Sequence, residues 1–592
     1  MPKGYYRTVA CLLSCAAAAL GSAAQTNLAR TGAQQKVALV AESCPRPAAG
    51  SAVENPPALF SSNGVLRVSF SYQTRMDDHN RQLFCFMTPD GLQNPTLHVS
   101  PGEHLIVTVT NNTPAGMHPM ALSGPNCGAT TMDTSSVNLH YHGTNISPVC
   151  GQDEVIKTII NSGETFQYDL AFPSNEPPGL YWYHPHVHGI ADPTVLGGAV
   201  GALVVDGINN VQPAVAGLPQ LILVLRDQVQ LQGLESPEGM CSIPFRDITV
   251  NNVPVDSLQE IPNGPVTFTP AVLKVHPHEK QFWRVTNSAA DSIMDLQVVY
   301  DGKPQTLQLA AIDAVPVNSQ DGTQPGSLIP ITHFRLPPAA RVEFIVTTPA
   351  GSVKKAQLIT TQIKTGADCD PTRPIFDIAA GSDNQSIGKP QTAGKKTDDV
   401  VPAFTKLNTS SQRFAGLAAA PIAASRVVYF NEKEDPEQFF MAVEGQPEAV
   451  FDPNAPPAII ATQGTSEQWT VQNRTTESHE FHMHQIHFLV QSQNDFAVNG
   501  QPVAPAITGQ YADMIEVPAW DGNPAHPYPS VSLLMDFRGP DVGDFVFHCH
   551  ILEHEDGGMM NIIRVVQPTA KKHDESAPAG EKLEESTGRG NL

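Results

Sequence analysis

One short segment near the C-terminus, residues 547–560, limits most strongly what this chain can form. It reads Phe-His-Cys-His-Ile-Leu-Glu-His-Glu-Asp-Gly-Gly-Met-Met, so Cys549 is followed five residues later by His554 and five residues after that by Met559. A thiolate, two imidazoles and a weak axial thioether form the trigonal copper site that proteins use for electron transfer. A structural zinc site is the alternative, but zinc prefers four nitrogen or sulfur ligands and has no use for a methionine. The segment therefore predicts copper.

Two further histidines, His548 and His550, flank Cys549 directly. In an extended segment successive side chains point to opposite faces, so both imidazoles face away from the thiolate. One tripeptide can then touch two metal centres that are joined through its backbone. The sequence predicts that electrons pass between the two centres along this tripeptide.

The composition favours a large, loop-rich all-β protein. A chain of 592 residues is too long for a single core and suggests three or four domains. Charged residues make up only 16%, while 44 glycines and 52 prolines separate short runs rich in Val, Thr and Phe. The formal net charge of −23 argues against a nucleic-acid partner, because no basic face is available to neutralise phosphates.

The N-terminal residues 1–24 have the pattern of a signal peptide. Lys3 and Arg7 precede an apolar run over 9–20, and small residues follow at 22–24. The run is shorter than the roughly 20 residues that a membrane-spanning helix needs. We therefore expect a secreted or periplasmic protein without a stable membrane anchor. Apart from Cys549, six cysteines follow the predicted signal peptide, an even number that suits disulfides in an exported protein although their pairing cannot be derived from sequence: Cys44, Cys85, Cys127, Cys150, Cys241 and Cys369.

The segment pattern predicts three β-sandwiches in a row, because short apolar runs alternate with turn residues in three blocks. The predicted parts are a leader (25–60), domain 1 (61–210), domain 2 (211–365), a linker (366–424), domain 3 (425–567) and a disordered tail (568–592). An internal repeat relates the outer blocks, since the sequence at 179–186 matches that at 543–550 in pattern. The middle block keeps the strand pattern but lacks the matching histidines.

Six His-x-His pairs occur where composition alone predicts roughly one: His140/His142, His184/His186, His186/His188, His276/His278, His482/His484 and His548/His550. The pair His276/His278 lies in the middle block without partners, and we expect it to be solvated. Two clusters come from each outer block. If these blocks face each other they supply eight histidines to a shared site, and His479 remains to complete the Cys549 site.

These motifs resemble the four copper signatures of three-domain multicopper oxidases, the laccase-like enzymes, over about residues 60–567. The resemblance implies an all-β fold of three tandem cupredoxin-like (Greek-key β-sandwich) domains. It also implies four copper ions. The type 1 ion would be held by His479, Cys549, His554 and Met559. The type 2 ion would be held by His140 and His482. The type 3 pair would be held by His142, His184, His186, His484, His548 and His550.

The function that the resemblance implies is oxidation of a small, phenol-type electron donor with reduction of dioxygen to water, and we expect a monomer. Glu555 and Asp153 match the positions of the acids that supply protons in similar enzymes. The third signature usually has proline after its first histidine, where this chain has Glu480. His188 and His487 adjoin the ligand clusters, and each either orients a ligand or is an ordinary polar residue at the rim of the site.

Two other functions stay open from the sequence. A cuprous-ion oxidase for copper tolerance would need a Met-rich docking segment, but the predicted linker contains no methionine, and the nearest group is Met117, Met120 and Met132. A copper-binding or structural relative without turnover would have lost ligands, and none is lost here. The physiological donor cannot be derived from the sequence.

Overall fold

The computed structural model describes residues 43–568, except 233–240, 262–263, 367, 382–413, 495–496 and 499–500. The predicted signal peptide, the first half of the predicted leader and nearly all of the predicted tail lie outside the described residues. Within the described part the chain forms 43 strands and three short α-helices, which confirms the all-β prediction. The helices are α1 (Ala191–Leu196), α2 (Ile208–Val211) and α3 (Leu552–Asp556). None of these helices is long and apolar enough to cross a membrane.

The first group of strands forms a five-stranded and a four-stranded sheet around one buried core. Its strands are β1 (Ala58–Phe60), β2 (Val65–Met76), β3 (Gln82–Met87), β4 (Thr96–Val99), β5 (His104–Asn111), β6 (Met120–Ala121), β7 (Cys127–Gly128), β8 (Thr131–Met132), β9 (His140–His142), β10 (Thr158–Ile159), β11 (Thr165–Ala171), β12 (Gly179–His184) and β13 (Gly201–Val205). The larger sheet has the order β1-β4-β13-β12-β9 and the smaller one β11-β5-β2-β3.

The second group forms a nine-stranded and a six-stranded sheet. Its strands are β14 (Gln220–Gln228), β15 (Asp247–Val250), β16 (Val253–Leu258), β17 (Thr267–Thr269), β18 (Ala271–Val275), β19 (Lys280–Asn287), β20 (Met294–Tyr300), β21 (Lys303–Pro304), β22 (Leu307–Ile312), β23 (Val315–Pro316), β24 (Ile329–Ile331), β25 (Phe334–Leu336), β26 (Arg341–Thr347), β27 (Ala356–Thr360), β28 (Ile363–Lys364), β29 (Cys369–Asp370) and β30 (Arg373–Ala380). Strand β26 lies between β19 and β22 in the larger sheet.

The third group forms a six-stranded and a five-stranded sheet. Its strands are β31 (Ile422–Glu434), β32 (Glu437–Val443), β33 (Ile459–Thr462), β34 (Thr465–Asn473), β35 (His479–Met483), β36 (Phe488–Asn494), β37 (Ala497–Val498), β38 (Gln501–Pro502), β39 (Tyr511–Ala512), β40 (Met514–Val517), β41 (Ser530–Phe537), β42 (Gly543–Cys549) and β43 (Met560–Val566). The smaller sheet has the order β33-β43-β42-β35-β40, which puts two histidine-bearing strands side by side.

The sequence pattern explains both kinds of strand in these sheets. In β2 the buried residues alternate with more exposed ones, as expected for a strand that covers the core with one face. In β12 and at the end of β42 every residue is buried, because other parts of the protein cover both faces. The histidines at the ends of these two strands are therefore removed from water.

Strand register brings histidines from separate motifs next to each other. In the first group His184 of β12 pairs with His140 of β9. In the third group His482 of β35 pairs with His548 of β42. Directly opposed residues on antiparallel strands have Cβ atoms about 4.5–5.5 Å apart. The first and the third group of strands thus each contribute half of a histidine cluster.

Two predicted boundaries need correction. The end of the predicted leader is held to the fold: Cys44 forms a disulfide with Cys85, and β1 pairs with β4. The predicted linker contains β29 and β30, and β30 pairs with β18 and β27 in the second group. The polar and turn-forming residues around β30 indicated a linker, so this short strand was not predicted. It buries Ile375, Phe376 and Ile378. The stretch 382–413 lies outside the described residues.

The six cysteines between the predicted signal peptide and the copper motif are paired in three disulfides. They join Cys44 to Cys85, Cys127 to Cys150 and Cys241 to Cys369. Cys549 is free and buried. The even count in the sequence therefore predicted disulfides correctly, while the pairing had to come from the structure.

Removal of the first disulfide tests whether the segment before β1 stabilises the fold. The double variant Cys44→Ser/Cys85→Ser should lose about 2–4 kcal/mol of unfolding free energy, because a cross-link over such a loop restricts the unfolded chain. Denaturant unfolding of both proteins measures this loss. Equal stability would show that this disulfide adds nothing to the stability of the fold.

Candidate metal centre

Cys549 belongs to a buried group of potential metal ligands that come from three elements. Its Sγ lies 3.7 Å from Nδ1 of His479 and 3.8 Å from Nδ1 of His554, and these two nitrogens are 3.1 Å apart. His479 begins β35, Cys549 ends β42, and His554 lies on α3. Met559 is fully buried, and its backbone bonds to both Cys549 and His554. The structure thus gathers the four residues predicted for one site.

The local sequence after Cys549 allows the chain to turn back, so that His554 and Met559 lie next to Cys549. The single turn of α3 is followed by two glycines, and Gly558 has a φ of +112°, a conformation that side chains with a Cβ rarely adopt. The N–H of Met559 then donates to the carbonyl of His554, and the N–H of Cys549 donates to the carbonyl of Met559. Helix, turn and strand end therefore position three of the four residues.

The environment favours the thiolate form of Cys549. Burial alone would raise the pKa of this thiol, but the hydrogen bonds and charges of His479 and His554 outweigh burial and lower the pKa to about 6. The thiolate is the form that binds metal. Phe430 stacks on His479 with ring centroids 4.9 Å apart, and Phe439 stacks on His554 at 4.6 Å. The two rings cover the imidazoles without competing for their nitrogens.

The outer nitrogens of the same two histidines meet carboxylates. Nε2 of His554 lies 2.6 Å from Oε1 of Glu477, whose side chain is 19% exposed. Nε2 of His479 lies 2.7 Å from Oε1 of Glu432 and 2.8 Å from Oγ1 of Thr475. These contacts fix both rings with Nδ1 directed at the sulfur. No sequence motif marks these partners, so they were not predicted from the sequence.

The second buried group contains the eight histidines that the sequence assigned to a shared site. All are at most 2% exposed: His140, His142, His184, His186, His482, His484, His548 and His550. The two outer groups of strands interlock through stacked rings. The ring of His140 lies 3.9 Å from that of His484, and the ring of His142 lies 4.0 Å from that of His482.

Smaller sets are visible within this cluster. Nε2 of His548 lies 3.3 Å from Nε2 of His186 and 3.2 Å from Nε2 of His484. A second set has ring centroids between 5.0 and 5.9 Å apart and consists of His142, His184 and His550. The remaining two, His140 and His482, have ring centroids 6.0 Å apart.

The hydrogen bonds of these imidazoles leave nitrogens free for a metal. Nδ1 of His140 contacts Asp153, Nδ1 of His184 contacts the carbonyl of Pro185, and Nδ1 of His482 contacts the carbonyl of Asp513. Within the described residues Nε2 of each of these three histidines has no hydrogen-bond partner. A buried polar atom without a partner is costly. A metal ion that accepts these lone pairs would satisfy them.

Electrostatics also favours metal over protons in this cluster. Burial lowers the pKa of all eight histidines, and a neighbouring imidazole lowers the pKa of each of them further. The rings are therefore neutral, which is the form that binds metal. Imidazole suits copper, and the combination of imidazole with thiolate in the first group suits it as well.

Both acids predicted to supply protons lie beside the cluster. Oε2 of Glu555 lies 3.2 Å from Nδ1 of His548, and its Oε1 lies 3.6 Å from Nδ1 of His186. Oδ1 of Asp153 lies 3.1 Å from Nδ1 of His140. Burial raises the pKa of each carboxyl well above its usual value, and for Glu555 the charges of Asp556, Cys549 and Asp192 add to the effect.

Comparisons with known proteins agree with this arrangement. Two family models, each described as multicopper oxidase, match residues 126–210 and 423–568. These matches contain all eight clustered histidines and the Cys549 group. The chain belongs to the multicopper oxidase family. It is an oxidase that uses dioxygen, and copper is its metal.

Individual relatives cover most of this multicopper oxidase. A laccase from Bacillus subtilis (strain 168) is 23% identical over 539 residues, which is 84% of this chain and 94% of the relative. A multicopper oxidase from the hyperthermophile Aquifex aeolicus superposes with a TM-score of 0.61 at 17% identity, covering 87% of this chain and 99% of the other. A Campylobacter jejuni multicopper oxidase, described as a metallo-oxidase, has a TM-score of 0.56 at 18% identity, with 88% and 96% covered. The superpositions support three cupredoxin-like domains.

Asp513 is a residue of this multicopper oxidase that the sequence analysis missed. Its Oδ1 lies 3.2 Å from Nε2 of His142, and its backbone carbonyl lies 2.8 Å from Nδ1 of His482. Arg341 of β26 binds both carboxylate oxygens of Asp513, with Nη1 2.6 Å from Oδ1. Burial alone would raise the pKa of Asp513, but the Arg341 guanidinium outweighs burial and lowers it. The middle group of strands thus supplies the cation that holds this carboxylate charged.

The remaining histidines separate into two kinds. Nε2 of His487 lies 2.9 Å from the carbonyl of Asp313 and 3.4 Å from Oδ2 of Asp513, so it joins the network that orients ligands. His188 packs its ring against Phe451, with centroids 4.8 Å apart, and burial lowers its pKa to about 4. His278 is exposed and His276 is partly exposed, and within the described residues neither belongs to a group of potential metal ligands.

Asp513→Asn tests the positioning role of this carboxylate. The change keeps the side-chain shape but removes the bidentate ion pair with Arg341, which retains only its longer contact with Asp313 at 3.5 Å. Breaking a buried ion pair costs about 3–5 kcal/mol. We expect weaker copper retention at the histidine cluster and an altered type 2 electron paramagnetic resonance (EPR) signal. Nε2 of His142 loses its charged partner, and the backbone carbonyl that contacts His482 is no longer fixed by the bidentate ion pair with Arg341.

Glu516→Gln is the matched control for this variant. Glu516 lies three residues further along the chain, on β40, and forms a similar bidentate pair with Arg335. It should lose stability while keeping the type 2 signal of the wild type. Identical EPR spectra for Asp513→Asn and the wild type would contradict the positioning role.

Proposed function

We propose that this chain is a laccase-type oxidase with four copper ions that takes single electrons from a small, phenol-type donor and reduces dioxygen to water. The observation that carries the proposal is the position of one tripeptide. Cys549 belongs to one buried ligand group, and its neighbours His548 and His550 belong to the other. A donor site and an oxygen site are therefore joined by two peptide bonds.

The proposed ligands follow the sets of side chains described above. His479, Cys549, His554 and Met559 would hold the type 1 ion, and His140 with His482 would hold the type 2 ion. The type 3 pair would be held by two sets of three, namely His142, His184 and His550 on one side and His186, His484 and His548 on the other. Bound copper would supply one-electron redox chemistry and the reduction of dioxygen.

The residues of the chain perform the remaining tasks. The backbone of His548, Cys549 and His550 provides a short covalent path for electrons between the two groups. Reduction of one dioxygen to two waters takes four electrons and four protons, so four one-electron donors must be oxidised in each cycle. The walls of the cluster exclude bulk water, and protons must then come through side chains.

The donor is proposed to approach at Glu477. This carboxylate is partly exposed and contacts His554, which in turn contacts the sulfur of Cys549. A carboxylate at this place can accept the hydroxyl proton of a phenol as the electron leaves. Glu432 offers a second partly exposed carboxylate at His479. Two acids at this edge also favour a cationic donor, so oxidation of metal ions such as Cu⁺ is the second candidate function.

Export of the protein remains part of the proposal. Three disulfides within the described residues fit an oxidising compartment such as the periplasm or the extracellular space. The predicted signal peptide would direct the chain there.

Oxygen uptake by the copper-loaded protein tests the proposed function. A phenol, Cu⁺ and Fe²⁺ are offered in turn, and the wild type should consume oxygen with the phenol and show an intense blue absorption band. Cys549→Ser is the control, because an alcohol cannot replace the soft thiolate while all eight clustered histidines remain. It should lose the colour and the activity together. Uptake with metal ions alone would favour the second candidate, and a phenol rate that survives in Cys549→Ser would contradict the electron path.

Glu555 is proposed to deliver protons to the cluster, with Asp153 as a second donor beside His140. Glu555→Gln keeps size and hydrogen bonding but cannot release a proton near neutral pH. Reoxidation by dioxygen should slow about a hundredfold or more, because general acid catalysis is typically worth that much. Stopped-flow measurements should also show an unchanged rate of type 1 reduction by the donor.

Glu553→Gln is the matched control for Glu555→Gln, because Glu553 lies on the same helix but is exposed. It should reoxidise at the wild-type rate. Fast reoxidation of the Glu555→Gln protein would mean that protons enter by another route, and Asp153→Asn would then be the variant to measure.

A further inference from the structure

Glu480 occupies a position in β35 where the family signature usually has proline, directly after His479. Its backbone N–H points at the sulfur of Cys549, with N and Sγ 3.5 Å apart. Its carbonyl accepts the N–H of His550 at 2.9 Å. Both backbone groups of Glu480 therefore bond to the strand end that carries the copper ligands. Proline could not make the first of these bonds, because it has no N–H.

We propose that the backbone N–H of Glu480 tunes the reduction potential of the proposed type 1 copper by donating a hydrogen bond to the Cys549 sulfur. The inference rests on the proposed function, since it assigns a role at the same site. Within the described residues no other backbone N–H donates to this sulfur. The other polar contacts of Sγ are the Nδ1 atoms of His479 and His554, which are themselves proposed ligands.

The direction of the effect follows from the charge on sulfur. The sulfur carries more negative charge when the copper it binds is reduced, because it then donates less electron density to the metal. A hydrogen bond to this sulfur therefore stabilises the reduced state more than the oxidised state and raises the potential. Hydrogen bonding around the cysteine sulfur is a recognised control of the potential in such sites.

The strand holds this bond in a fixed geometry. Phe481 pairs with Cys549 in the register of β35 and β42, and Glu480 is fully buried. Water cannot compete for either the amide or the sulfur at such a site. The donor is also part of the backbone, so no side-chain rotation can remove it. Glu480 acts here as a positioning residue through its amide.

The side chain of Glu480 needs a separate control. Both of its carboxyl oxygens are buried and, within the described residues, have no hydrogen-bond partner. A change at this position could therefore act through the carboxyl group instead of the amide. Glu480→Ala removes the carboxyl and keeps the N–H, while Glu480→Pro removes both. The difference between these two variants isolates the backbone hydrogen bond.

Redox titration of the blue absorption band in the copper-loaded variants is the test. Relative to Glu480→Ala, Glu480→Pro should favour the oxidised state by about tenfold in the redox equilibrium, which is about 59 mV for one electron. The absorption band of the thiolate should also shift in Glu480→Pro alone. Equal potentials in the two variants would overturn the inference. If these equal potentials also differ from that of the wild type, the carboxyl group of Glu480 is the cause of the shift.

A second measurement uses the wild-type holoenzyme and does not depend on whether the proline variant folds. The copper–sulfur stretching frequency is measured by resonance Raman spectroscopy for enzyme produced in H₂O and in D₂O. An amide bonded to the sulfur should make this frequency sensitive to deuterium, and Glu480→Ala should keep that sensitivity. A frequency without any isotope shift would overturn the inference. Absence of a blue site in the wild type would instead contradict the proposed function itself.

Discussion

The stacking of imidazole rings across two sandwiches is the interaction on which the rest of this structure depends. His140 stacks on His484 and His142 stacks on His482, so segments about 340 residues apart in sequence share one buried interior. Burial keeps the rings neutral, and within the part of the chain that the structure describes several of their nitrogens have no hydrogen-bond partner. Burying these nitrogens without partners costs free energy until a metal accepts their lone pairs. Metal binding therefore stabilises the interface between the two outer groups of strands.

The middle group of strands has no metal ligands, yet the cluster depends on it. Arg341 of β26 holds the Asp513 carboxylate, and Asp313 accepts the N–H of both Arg341 and Asp513. Burial and the nearby charge of Asp513 raise the pKa of Asp313. A buried ion pair of this kind is a weak source of stability but specifies one geometry. We infer that the middle group of strands fixes the position of Asp513 and, through it, of the histidines that Asp513 contacts.

The sequence predicted the ligands better than the groups around them. Cys549 and the histidines were found because a metal restricts both residue type and spacing, and Glu555 followed from its place beside a ligand. Asp513 and Glu477 were missed because a carboxylate gains its role only from tertiary contacts that no spacing records. The strand over Arg373–Ala380 was assigned to a linker because its flanks are rich in turn-forming residues, and local composition carries no information about distant strand partners.

The most direct test of the account is X-ray diffraction from crystals of the copper-loaded protein, recorded on both sides of the copper absorption edge. Anomalous difference density then locates copper without assumptions about its ligands. The account predicts four copper peaks in each chain, one between Cys549, His479 and His554 and three within the cluster of eight histidines. Fewer than three peaks in that cluster, or density that follows the zinc edge instead, would contradict it.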